Sequence, residues 1–156
     1  MSKPRDLHWL KDIERAIERI ENHPKYSGGR AAYDEDEYFR DVVYLNVERV
    51  CEASTHLVRE FDYDKKYPEL PWEEMLGMRI VVSHYYWSIN DDIIWDTVEK
   101  DFPAFKDKVK GWRKDRERED KTREDTANLR PKIEDVLKIG RTEEDKERSQ
   151  DDDHTR

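Results

Sequence analysis

Met78-Arg79-Ile80-Val81-Val82-Ser83-His84-Tyr85-Tyr86, preceded by Pro71-Trp72 and followed by Asn90-Asp91, is the stretch on which the reading of this chain turns. Arg79, His84 and Tyr86 put a permanent cation, an imidazole that exchanges protons near neutral pH and a phenol within eight residues. That set suits phosphodiester chemistry. Proline fits the first turn of a helix, so the segment predicts a helix that begins at Pro71 or Trp72 and carries the motif. At about 100° per residue, Arg79 and Tyr86 fall on nearly one face two turns apart, whereas His84 sits about 140° from Arg79. One regular helix therefore does not bring the guanidinium and imidazole tips together. Convergence needs either a distorted turn near Gly77 or a second copy of the chain facing the first across a two-fold axis. The homodimer is favoured, because an isologous contact unites the motifs without straining the backbone.

Outward from the motif, the pattern is helical throughout. Leu7, Leu10, Ile13, Ala16, Ile17 and Ile20 recur every three or four residues from about Arg5 to His23, which predicts an amphipathic helix. Pro24 and Gly28-Gly29 close it and open a loop. A second helix starts near Asp34 to Glu37, where carboxylates suit a helix N-terminus, and runs through Phe39, Val42, Val43, Leu45, Val47, Val50, Ala53, Leu57 and Val58 as the core helix. Phe61 to Leu70 carries no helical stripe and reads as a loop. Asn90 predicts an N-cap, and a fourth helix follows through Ile93, Ile94, Trp95, Val98 and Phe102. Pro103 interrupts it, and Phe105, Val109 and Trp112 add a last apolar turn or two. The expected fold is all-α, an up-and-down bundle of about four main helices.

After Trp112 the character changes. Residues 113–156 hold 13 lysines and arginines against 15 aspartates and glutamates, with few apolar anchors. The expected organisation is a helical domain over 1–112 and a charged, partly disordered extension over 113–156, with a short helix near 131–139. Charged residues make up 44% of the chain and the net charge is −9, so no global attraction to nucleic acid or anionic lipid follows from the sum. A polyanion has to be held locally. The single cysteine, Cys51, forms no internal disulfide and fits a reducing compartment. The absence of a signal-like start or a long apolar run makes a soluble, cytoplasmic protein the expectation.

Taken together, these features resemble the HepT-like toxins of the HEPN superfamily. The residues that carry the resemblance are Asp12-Ile13, Cys51-Glu52-Ala53, Pro71-Trp72, Gly77-Met78-Arg79, the Arg79-x-x-x-x-His84-x-Tyr86 signature and Ile94-Trp95. They span roughly residues 5 to 112. The chain departs from the family pattern at Ile80, where a polar residue, often Asn, is common, and at Cys51, where Gly is usual. The resemblance implies a metal-independent endoribonuclease without cofactor, the toxin of a toxin–antitoxin pair. It also implies a partner, a minimal nucleotidyltransferase antitoxin that neutralises the toxin by transferring AMP to Tyr86. On this reading Arg79 and His84 are catalytic: His84 moves the proton of an RNA 2′-hydroxyl, and Arg79 neutralises charge on the phosphate oxygens.

Plainer readings stand beside this one. Arg79 is also a candidate ion-pair partner of Glu73 or Glu74, and Glu52 a polar group of the core. Tyr85, Tyr86, Trp87 and Trp95 also suit a core or an interface. His8, His23, His56 and His154 lack the spacing of a metal site. The rival function is a non-catalytic HEPN-like module that binds RNA, nucleotide or a partner protein; a third is a helical assembly protein that recruits a partner through its charged tail.

Overall fold

Leu10, Ile13, Ala16, Ile17 and Ile20 are fully buried along one face of α1 (Arg5–Glu21), the face that their spacing dictates. The structure, a computed structural model, describes residues 5–84 and 88–151, with side chains over 6–79 and 88–148. Among the described residues there is helix and turn but no strand, and the chain is all-α, a HEPN-like helical bundle. Backbone contacts divide it into two units, Met1–Arg116 and Glu117–Arg156.

In the first unit, α1 leads through a 3-10 turn (Tyr26–Gly28) into a short α2 (Gly29–Glu35). Gly29 opens α2 at φ 62°, a conformation that favours glycine. The long α3 (Glu37–Phe61) is capped by Asp36, whose carboxylate accepts the Phe39 amide at 3.1 Å. Its buried stripe is Phe39, Val43, Val47, Val50 and Leu57. Asp62 ends it in the left-handed region at φ 56° and donates its amide to the Leu57 and Val58 carbonyls. Both α1 and α5 (Trp72–His84) pack along α3.

The expected loop over 61–70 instead contains a one-turn helix, α4 (Tyr63–Lys66). One aromatic anchor holds it in place of a stripe. Tyr63 is buried, with ring centroids 5.6 Å from Tyr67 and 5.7 Å from Trp112, and its hydroxyl donates to Asp6 at 3.1 Å. A single anchor has no period, which is why a search for periodicity passes over it.

Asn90 caps α6 (Asp91–Asp96), accepting the amides of Asp92 and Ile93. The fourth helix was expected to break at Pro103. Instead the chain passes through a π-helical turn (Thr97–Asp101) into α7 (Phe102–Asp151), with Pro103 in the first turn of α7. Proline lacks an amide donor and crowds the carbonyl one turn back. The wider turn just before it is the expected accommodation, because it leaves helical backbone on both sides.

The first turns of α7 run against α1 through a ladder of opposite charges. Glu21 meets Lys106 at 2.7 Å, Glu18 meets Lys110 at 3.6 Å, Glu14 meets Arg113 at 2.9 Å and Asp6 meets Arg116 at 2.8 Å. The rungs descend α1 as they ascend α7, which makes the two helices antiparallel. The last two rungs carry the first unit past Trp112 to Arg116. In the second unit the chain is helical to Asp151, and residues 121–148 are exposed, including Leu129, Ile133, Val136, Leu137 and Ile139. Among the described residues no helix is long and apolar enough to cross a membrane.

The rungs differ in burial, and their contributions should differ with it. Asp6 is buried and serves both Arg116 and the Tyr63 hydroxyl, so Asp6→Ala is expected to lower unfolding stability by about 3 kcal/mol or more. Lys110→Ala, at a longer and partly exposed contact, is expected to cost about 1 kcal/mol or less. Urea unfolding of the two variants beside the wild type measures both; equal losses would contradict the assignment.

Candidate functional site

Arg79 stands on α5 where that helix packs along α3, and it is half-buried. Its surroundings register in the chemistry of Cys51. Burial pushes this thiol up to about 12, the Glu48 carboxylate adds to the effect and the Arg79 guanidinium opposes it. The guanidinium therefore lies within electrostatic reach of one turn of α3. Cys51 remains a neutral thiol at physiological pH and is no nucleophile there.

Arg79 makes no hydrogen bond or ion pair with a described residue, so the expected tie to Glu73 or Glu74 is not formed. An uncommitted, half-buried guanidinium is suited to an anionic ligand. Helix α5 continues through Gly77 without a break, and a Cβ at that glycine would meet nothing within 4 Å. The distorted turn that would fold the imidazole back towards Arg79 within one copy is absent. His84 is the last residue of α5, and its side chain lies outside the described residues. Tyr86 lies wholly outside them, as do Tyr85 and Trp87.

The structure anchors the motif segment at both ends. At the start of α5, the Trp72 indole donates to the Tyr67 carbonyl at 2.8 Å. Beyond residues 85–90, the Asp91 carboxylate accepts the Tyr33 hydroxyl at 2.6 Å and also the Tyr44 hydroxyl. Next to it, Arg30 joins Asp92 at 2.7 Å and Asp34 at 2.8 Å. Thus α2 and α3 hold the N-terminus of α6, where the chain leaves the motif. Sequence reasoning read Asn90 as a cap and missed both tyrosines. Their partner is 58 and 47 residues away, and no local spacing marks such a pairing.

The remaining side chains sort by environment. Glu52, read as a core group, is exposed on α3. Trp95 is buried beside Tyr33 and Phe39. His56 stacks on Trp9 at 3.9 Å and contacts Glu60 at 2.9 Å, while His23 stacks on Phe39 at 4.7 Å and accepts the Lys25 amide. Among the described residues no group of three or more His, Cys, Asp or Glu side chains is placed to hold a metal ion.

A family model described as "Ribonuclease HepT-like" matches residues 13–111, a span that includes Arg79, His84 and Tyr86. The "Probable ribonuclease HepT" of Thermococcus cleftensis is 31% identical over 109 residues, covering 68% of this chain and 94% of that protein. A "Putative RNase" of Caldanaerobacter subterraneus subsp. tengcongensis is 30% identical over 117 residues, covering 70% and 94%. Another "Putative RNase", from Methanocaldococcus jannaschii, is 34% identical over 70 residues, covering 45% and 62%. No solved structure matches the chain significantly.

The buried thiol and phenols carry a pH signature. Burial, with the neighbouring carboxylates, raises Tyr33, Tyr44 and Tyr63 as it raises Cys51. Each group thus holds its proton longer folded than unfolded. Stability is expected to be full below about pH 8.5 and to fall as the pH rises through the ordinary thiol and phenol range. Chemical denaturation from neutral to strongly alkaline pH measures this slope, and Tyr44→Phe should flatten it.

Proposed function

The chain belongs to the HepT-like ribonuclease family, and from that membership and the uncommitted Arg79 guanidinium on α5 we propose that it is an endoribonuclease acting without a metal ion. A 2′-hydroxyl of RNA gives its proton to the His84 imidazole, and the 2′-oxygen attacks the adjacent phosphorus. The bond from phosphorus to the 5′-oxygen breaks and that oxygen takes up a proton, leaving a 2′,3′-cyclic phosphate and a 5′-hydroxyl. Arg79 stabilises the charge that gathers on the non-bridging oxygens through its planar fork of donors. Positioned proton transfer of this kind contributes about 10²- to 10⁴-fold in rate.

The regular course of α5 supports a homodimer as the working form, since positions 79 and 84 stand about 140° apart around a regular helix. Two copies around a two-fold axis pair the guanidinium of one with the imidazole of the other. The proposed partner is a minimal nucleotidyltransferase antitoxin. It transfers AMP from ATP to the Tyr86 phenol and releases pyrophosphate, and the attached phosphate occupies Arg79 and excludes RNA. On this reading the protein acts in the cytoplasm, where RNA and ATP are available.

The observation that carries this reading is an Arg79 guanidinium with no hydrogen bond or ion pair to a described residue, inside the matched family span. Purified protein should cleave RNA in excess EDTA, and His84→Ala should not. Binding without cleavage by both proteins would assign the non-catalytic module instead, which the apolar Ile80 beside Arg79 favours. If the site is shared between copies, mixing inactive Arg79→Ala and His84→Ala proteins should restore about a quarter of wild-type activity, because mixed dimers regain one complete site. No recovery on mixing would place each site within a single copy. Co-expression with the transferase should add whole AMP units to the intact mass of the wild type and none to Tyr86→Phe.

A further inference from the structure

Arg15 and Arg19 on α1 and Arg49 on α3 line a cavity of about 320 Å³, with Trp9, Asp12 and Glu52 completing its wall. All three arginines are exposed, and none makes a hydrogen bond or ion pair with a described residue. This contrasts with Lys106, Lys110, Arg113 and Arg116 of α7, each matched to an acid of α1 in a chain with 39 carboxylates. Asp12 contacts His8 at 3.4 Å and not an arginine. Three guanidiniums against two carboxylates make this groove a local positive site on a chain of net charge −9.

The spacing of the donors narrows the ligand. Arg15 and Arg19 are one helical turn apart, about 6 Å along α1, an interval comparable to that between successive phosphates of a stretched strand. Arg49 approaches from α3, so donors converge from two helices and not from one face. The groove and Arg79 share one turn of α3. Cys51 of α3 lies within electrostatic reach of Arg79, and the next residue, Glu52, belongs to the groove. Arg79 and the groove thus meet the same turn of α3 from different sides.

We propose that this groove holds backbone phosphates of the RNA strand that flanks the linkage presented to Arg79. The inference rests on the endoribonuclease reading but has its own test. Guanidinium forks hold phosphate oxygens two at a time and carry no base preference, so the groove contributes affinity and register, not sequence choice. A strand that spans it should bind more tightly than one too short to reach it.

The test measures binding apart from cleavage. A labelled 2′-O-methyl oligonucleotide of about a dozen nucleotides cannot be cut by 2′-attack and is long enough to span a site of this kind. Its affinity for the wild type, Arg19→Gln and Arg15→Gln/Arg19→Gln/Arg49→Gln is read by fluorescence anisotropy between about 50 and 200 mM salt. Each lost phosphate contact is expected to reduce the slope of log affinity against log salt by about 0.7, so the triple variant should lose about 2. Its affinity at low salt should fall roughly tenfold or more. A charge-matched control in the second unit, Arg123→Gln/Arg130→Gln/Arg141→Gln, should keep the wild-type slope. An unchanged slope in the groove variant overturns the proposal, as does equal loss in the control. Competition by polyglutamate as effective as by RNA would assign the groove to an acidic protein segment and also overturn it. Cleavage of unmodified RNA by the same wild-type protein is scored separately. Groove-dependent binding without cleavage removes the ribonuclease reading and leaves the groove, whereas cleavage with an unchanged slope does the reverse.

Discussion

Burial of one face of α3 is the constraint on which the rest of this structure depends. Phe39, Val43, Val47, Val50 and Leu57 are fully removed from solvent, and each such side chain contributes about 1.5 to 3 kcal/mol. Together they outweigh the α1–α7 charge ladder, whose partly exposed rungs contribute about 1 kcal/mol or less each. Apolar contact therefore holds the helices, and charge selects how they slide. A shift of one turn along α1 would leave Asp6 buried without Arg116, a larger penalty than any exposed rung returns.

That division of labour explains where polar groups are left over. The inner face of α3 has no room for ligand chemistry, and α1 and α5 cover its flanks. Arg79 rises on one flank and Arg49 on the other, with Glu48 and Glu52 between them. Guanidiniums at these edges are near enough to the core to be held in place and open enough to meet a ligand. The motif segment gains further constraint from its ends. The Trp72 indole holds the entry to α5, and two tyrosine hydroxyls on Asp91 hold the exit into α6. Anchors of this kind limit the conformations of the chain between them without touching it, which is how a supporting shell positions a reactive group.

Much of the fold was legible because helices announce themselves locally. The α1 stripe, the Asp36 start of α3, the Trp72 start of α5 and the Asn90 cap all follow from spacing and capping chemistry within a few residues. Two local rules misled. Pro103 signalled a stop, yet a π turn before it let helix continue, and the unpatterned 61–70 segment concealed a turn held by Tyr63 alone. The candidate site was legible as residue types and spacing, but not as surroundings. Nothing near Arg79 in sequence foretold that Glu73 and Glu74 make no ion pair with it or that Cys51 lies within reach of its charge.

By itself the sequence determined the helical class, the placing of most helix starts and the candidate set Arg79, His84 and Tyr86, because these depend on periods and caps that repeat within one or two turns. Only the tertiary structure decided which charges are spent on holding helices together and which remain for a ligand. The arginines of α7 and those of α1 look alike in sequence. Arg113 and Arg116 face acids across an antiparallel contact, whereas Arg15, Arg19 and Arg49 converge on a groove with no described partner. The reason is physical: Coulombic pairing depends on distance between side chains brought together by packing, and that distance does not exist until the helices have docked.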